Sequence, residues 1–193
     1  GWLALAYYNG VFPRDKKITS ALEDLEAYLM RRYANDVTTG FYQWGTMAAA
    51  LRLEQTSDPR FLSFIRAQAR ALLDAPRRDE WRGDSSCAHM EGLAVAARVL
   101  RAHQDVDRLL LEKVEARLNE EMEKNRALQI PPNGGRMVFG DGVQLISPRL
   151  RDFAGAFLVG RFRAYTRVDE TAHCVSAMTK LAQPDRSIRA PRP

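Results

Sequence analysis

The chain has 193 residues, 46% of them hydrophobic and 27% charged, with a formal net charge of +5. That length can bury a real core in one large domain or two small ones, and the balance of residues excludes a disordered polyelectrolyte. No apolar run approaches the roughly 18 residues of a membrane span, so none is expected.

The opening "GWLALAYY" is too short for a signal peptide and lacks its basic start. A start without Met leaves open that a signal was removed, and with it a secreted or periplasmic protein. The first expected helix runs from Ser20 to Tyr33. Ser20 and Glu23 form a capping box there, and Leu22, Leu25, Leu29 and Tyr33 make one apolar stripe. A second helix, "GFYQWGTMAAALRLEQ", begins near Gly40 and is apolar on most sides. In the third, Asp58 caps a helix opened by Pro59, with Phe61, Phe64, Ile65, Ala69 and Leu72 on one face. The fourth, within "GDSSCAHMEGLAVAARVL", has almost no polar face and should be buried nearly all round. The fifth, about Val106 to Asn125, carries a stripe of Leu110, Val114 and Leu118 among charges.

A Gly/Pro-rich loop follows, "QIPPNGGRMVFGDGVQLISPR", with a short hairpin expected around Met137 to Val143. A sixth helix runs from near Asp169 to before Pro184. Residues 1–183 thus read as a single helical domain, and 184–193 as an exposed tail.

Arg136, Arg149, Arg151, Arg161, Arg163 and Arg167 crowd one region in which Asp141 and Asp152 are the main acids. Such a surface suits an anionic partner or is simply a solvated basic rim. Cys87 and Cys174 can form one bridge but no disulfide framework. Neither belongs to a CxxC motif, and no HxxxH or HExxH spacing occurs, so no metal or other cofactor is expected.

Buried helices alternate with amphipathic ones, and the starts of the second and fourth lie roughly 45 residues apart, the length of one helix pair. This alternation, with "GFYQWGTMAAALRLEQTSDPRFLSFI" and "CAHMEGLAVAARVL", resembles the (α/α) toroid superfamily. That group holds many carbohydrate-active enzymes: glycoside hydrolases, polysaccharide lyases and sugar epimerases. The resemblance covers Ser20 to Leu181. It implies an all-α fold of antiparallel helical hairpins arranged as an incomplete (α/α) toroid. A full ring takes on the order of 300 residues, so about three hairpins fit here, as an open arc, a truncated piece or a partial ring completed by another subunit.

In such toroids the loops leading into the inner helices build the substrate funnel. Three clusters would meet there: Tyr42, Gln43 and Trp44; Asp84, Ser86, Cys87, His89 and Glu91; and Asp169, Glu170, His173 and Cys174. Aromatic rings stack on sugar faces while polar groups take the hydroxyls. The Gly/Pro-rich loop and the chain after it would add Arg149, Arg161 and Arg163 to the mouth, favouring an acidic oligosaccharide or polysaccharide.

Asp169 and His173 share a helical face, so an Asp-oriented imidazole is the first candidate general base; the plainer role for Asp169 is a helix N-cap. Glu91 within an apolar helix needs a partner, expected to be an arginine. Its sharper role is a general acid of raised pKa. His89 is either a substrate contact or an interior histidine. A Cys–His pair would have to form across helices, Cys87 with His173. The alternative to a sugar enzyme or sugar-binding domain is a non-catalytic helical-repeat module that docks a protein partner or a second copy. Nucleic-acid binding comes last, since no recognition motif accompanies the basic patch.

Overall fold

The computed structural model describes residues 1–34, 38–75, 83–103, 107–132 and 134–182, with Thr39 described by its backbone only. The expected tail, 184–193, and Val106 lie outside the described residues. The described chain is mostly helical. Its α-helices are α1 (Trp2–Val11), α2 (Lys16–Arg32), α3 (Thr39–Thr56), α4 (Pro59–Asp74), α5 (Cys87–Ala102), α6 (Arg108–Arg126) and α7 (Val168–Ala182).

The local chemistry explains most boundaries. Asp58 accepts from the Arg60 amide at 2.9 Å, with Pro59 in the first turn of α4, as expected. Asp107 caps α6 through Leu110 N–H at 3.1 Å. The helix expected from Ser20 starts earlier: Asp15 accepts from the amides of Lys17 and Ile18 and caps α2, leaving Ser20 inside the helix rather than in a capping box. "WLALAYY" is helical, forming α1.

The helices keep a consistent sense. Trp2 Nε1 donates to Glu26 at 3.0 Å and Thr19 Oγ1 to Asn9 at 2.7 Å, so α1 and α2 are antiparallel. Ser86 meets Asn125 at one end, and Arg101 reaches Glu115 at 2.8 Å at the other, so α5 and α6 are antiparallel as well. By contrast α3 and α5 run the same way, joined by Gln43 to Glu91 near their starts and Arg98 to Glu54 at 3.1 Å near their ends. α7 runs parallel to α5, from Ser85–Glu170 at 2.9 Å to Glu91–Lys180. α1 runs parallel to α3: Leu3 shares a cavity with Gly40 and Phe41, and Ala6 O accepts from Gln55. Thus α1, α3, α5 and α7 are successive neighbours with one direction, and α2, α4 and α6 return beside them.

The main core lies among the helices and includes Leu22, Tyr42, Phe61, Ile65, Met90, Leu93 and Leu118. α5 is buried along almost its whole length, as its missing polar face predicts. Where it crosses α3, Gly92 is required: a Cβ there would stand 2.6 Å from a Tyr42 ring carbon.

A smaller core of Leu128, Ile130, Met137, Phe139, Leu150 and Leu158 sits under the segment between α6 and α7. The expected hairpin there is β1 (Arg136–Val138) with β2 (Gln144–Ile146), turned by Gly142 at φ +82. A 3-10 turn (Pro148–Phe153) follows. A second hairpin, β3 (Leu158–Gly160) with β4 (Arg163–Thr166), occupies a stretch to which the sequence pattern assigned no element. It is pinned to the chain just before α5 by the Asp84–Gly160 bridge and to the end of α6 by Gln129–Phe157.

Candidate functional site

Three neighbouring helices of common direction meet around one buried carboxylate. Glu91 is 4% exposed on α5. On α7, His173, Ser176 and Lys180 form a stripe along one face. Glu91 accepts from Lys180 Nζ, Ser176 Oγ and Gln43 Nε2, and stands 3.0 Å from His173 Nδ1. Gln43 Nε2 also lies 2.7 Å from His173 Nδ1, and Lys180 Nζ lies 2.5 Å from Ser176 Oγ.

Trp44 follows Gln43 on α3. Gln43 is turned into the packing, while Trp44 is 49% exposed, with its ring centre 5.9 Å from that of His173 in an edge-on arrangement. Buried polar groups of Glu91 and Gln43 are therefore joined to a half-exposed aromatic ring through a partly exposed imidazole.

Electrostatics define what Glu91 can do. Burial pushes its carboxyl up, but hydrogen bonds from Lys180 and Ser176, the Lys180 charge and the His173 hydrogen bond outweigh it. The net result is a pKa below the ordinary glutamate value. The expected general acid of raised pKa is corrected on this point: Glu91 is an ionised, multiply bonded carboxylate. Its cationic partner is Lys180, not an arginine. His173 turns Nδ1 toward the Glu91 carboxylate and the Gln43 amide.

Asp169 does not orient His173. Its carboxylate forks onto the Arg167 guanidinium, which holds its pKa down, and it sits exposed inside the first turn of α7 rather than at the expected cap position before it. Tyr42 is fully buried against Gly92 and is a core residue, not a substrate contact. His89 likewise packs inward, its ring centre 6.4 Å from that of Tyr42. Burial is the main cause that drops its pKa to about 4 and keeps it neutral.

The arginines are divided. Arg161 pairs with Asp141 and lies over the Phe162 ring, and Arg163 reaches Asp84 at 3.5 Å. Arg149 lines a separate cavity of about 400 Å³ with Leu150, Phe153 and Tyr165. Ser86, from the second expected cluster, bonds Glu121 and Asn125 of α6. Cys87 and Cys174 are joined as a disulfide, so neither offers a thiolate to His173.

Ser176 and Lys180 went unnoticed in the sequence, although their spacing from His173 places them on its face. A cavity of about 520 Å³ begins at Trp44 and extends between α1, α2 and α3 along Leu3, Leu25, Leu29, Tyr33 and Phe41. Among the described residues no group of three or more His, Cys, Asp or Glu is placed to hold a metal ion. No family model, curated protein or solved structure matches this chain.

Proposed function

We propose that the chain is a carbohydrate-related (α/α) toroid-like arc whose inner row is α1, α3, α5 and α7, and that it binds a sugar over Trp44. The observation that carries this reading is the joining of Trp44, His173, Gln43, Glu91 and Lys180 on adjacent helices of common direction. Aromatic faces stack on the C–H faces of pyranose rings, and nearby polar groups select hydroxyl patterns.

In this reading His173 is the group that meets substrate. Glu91 orients its ring and stabilises the imidazolium formed when Nε2 takes a proton from a sugar hydroxyl or a carbon acid. Lys180 balances the Glu91 charge in the free protein and supplies a cation near the imidazole, which favours an acidic sugar. Asp169, paired with Arg167, stands at the start of α7 as a rim group. Turnover, where it occurs, is general-base chemistry on an acidic glycan.

A panel of acidic and neutral oligosaccharides, followed by tryptophan fluorescence and product analysis, tests this. Trp44→Ala should abolish the response and His173→Ala should abolish any turnover, with the helical circular dichroism unchanged. A panel without any response sinks the reading.

A second reading has its own support. α1 and the residue after it leave Tyr7, Tyr8, Val11 and Phe12 exposed, an apolar strip of the kind that interaction surfaces carry. A helical-repeat module would dock a protein partner there, and the polar cluster would then be an interhelical clasp.

A further inference from the structure

We infer that the Cys87–Cys174 disulfide is the positioning element of the Glu91–His173 cluster: α7 presents its three polar groups to α5 only while that bond is closed. The cluster is divided between two helices, and the bond joins those two. Cys87 lies one turn before Glu91 on α5, and Cys174 directly follows His173 on α7. The Cα atoms are 4.6 Å apart and both sulfurs are fully buried.

α7 lies close against α5, the most extensive helix pair of the fold, but the side chains it buries there are small: its buried residues are Cys174 and Ala177, with Met178 and Leu181 partly covered. Val168 and Val175 face solvent. Two further ties stand near its start, Ser85 to Glu170 at 2.9 Å and the Phe157 amide to Thr171 at 3.2 Å. The side chains of His173 and Lys180 are 21% and 29% exposed, so water competes for both.

The bond closes a loop spanning 87 positions, and it removes from the unfolded chain the entropy of bringing the ends of that loop together. Reduction by a dithiol would pass two electrons and two protons to the sulfurs, giving two cysteine thiols while the reagent closes to its cyclic disulfide. Glu91 would then lose its α7 partners and keep only Gln43. The cluster is accordingly complete in an oxidising compartment and dismantled in a reducing one.

The inference rests on the cluster's being the functional site, but its test needs no ligand, so its failure and that of the sugar reading are separable. The intact oxidised protein is first alkylated under denaturing conditions, where no free thiol should label. It is then compared with its reduced form, verified by mass, for the ring signals of its histidines and its amide exchange by NMR. The Cys87→Ser/Cys174→Ser double variant is the second sample.

In the reduced and the Ser forms, His173 should move to the shift of a solvated imidazole, and α7 amides should exchange roughly a hundredfold faster. The His89 signal and the α3 and α5 amides should stay in place. Three results would overturn the inference: two free thiols in the isolated protein, unchanged His173 and α7 after verified reduction, or simultaneous loss of the His89 and His173 signals. The last would make the bond a staple of the whole fold rather than a positioning element.

Discussion

Removing the Glu91 carboxylate should expose how much of the fold hangs on it. Glu91→Ala takes the acceptor from Gln43, which is 2% exposed, and leaves the Lys180 ammonium and His173 imidazole facing a cavity. Breaking one side of a buried pair costs about 3–5 kcal/mol. Lys180 retains a route to water along its flexible stem, which places the loss near the lower end, about 3 kcal/mol. For a chain of this size that lowers Tm by roughly 6–12 °C.

Urea unfolding followed by circular dichroism at pH 7 reads the loss. Glu91→Gln, which keeps shape and one acceptor oxygen, should lose less, and a double-mutant cycle with Lys180→Met should return a coupling of about 1–2 kcal/mol. The pKa of Glu91 is lower folded than unfolded, so the unfolded chain binds more protons near pH 4. Its contribution is complete above the ordinary value of about 4.3 and drains away as pH falls through the folded value. Wild type and Glu91→Ala should therefore converge in acid. A loss under about 0.5 kcal/mol at pH 7 with no Lys180 coupling would mean that Glu91 is a solvated carboxylate and not the centre of a buried cluster.

His89 imposes a slope of its own. Held neutral with a pKa of about 4, it costs stability as pH falls from the unfolded value of 6.5, by up to about 3 kcal/mol at pH 4. His89→Leu should flatten that part of a stability-versus-pH curve. Gly92→Ala drives a methyl to 2.6 Å from Tyr42 and 3.2 Å from the Gln43 Cα, and should cost about 1–3 kcal/mol in a urea melt. Trp2→Phe removes the indole donor from Glu26, which stays paired to Arg52 at 2.6 Å, and should cost about 1–2 kcal/mol in the same assay.

Much of the helical framework could be read from residue pattern, because strong local signals agreed with packing. The Asp58–Pro59 start of α4 and the all-apolar stretch of α5 needed no tertiary information. "WLALAYY" was harder: with Trp2 and Ala6 buried and Tyr7 and Tyr8 exposed, its buried face is set by where α2 and α3 lie, not by a polar stripe. β3 and β4 went unseen for a related reason. Leu158 and Val159 are buried because the hairpin is bridged to the chain before α5 and after α6, with Leu158 packed into the smaller core.

At the candidate site, Glu91, His173, Gln43 and Trp44 were legible as residue types, and they do come together. Their partnerships were not. Lys180 is separated from Glu91 by 89 positions, and no local rule distinguishes it from the arginines nearer in sequence. Asp169 misled because its spacing to His173 is favourable, while Arg167, two residues away, makes the fork.

The most direct test is to locate where an oligosaccharide acts, by NMR titration of the oxidised protein with the best binder of the panel. The Trp44 indole N–H and the His173 ring signals should move together and saturate at one ligand concentration. Signals that stay still there, while Tyr7, Tyr8 and Phe12 move or nothing moves, would contradict a sugar site over Trp44.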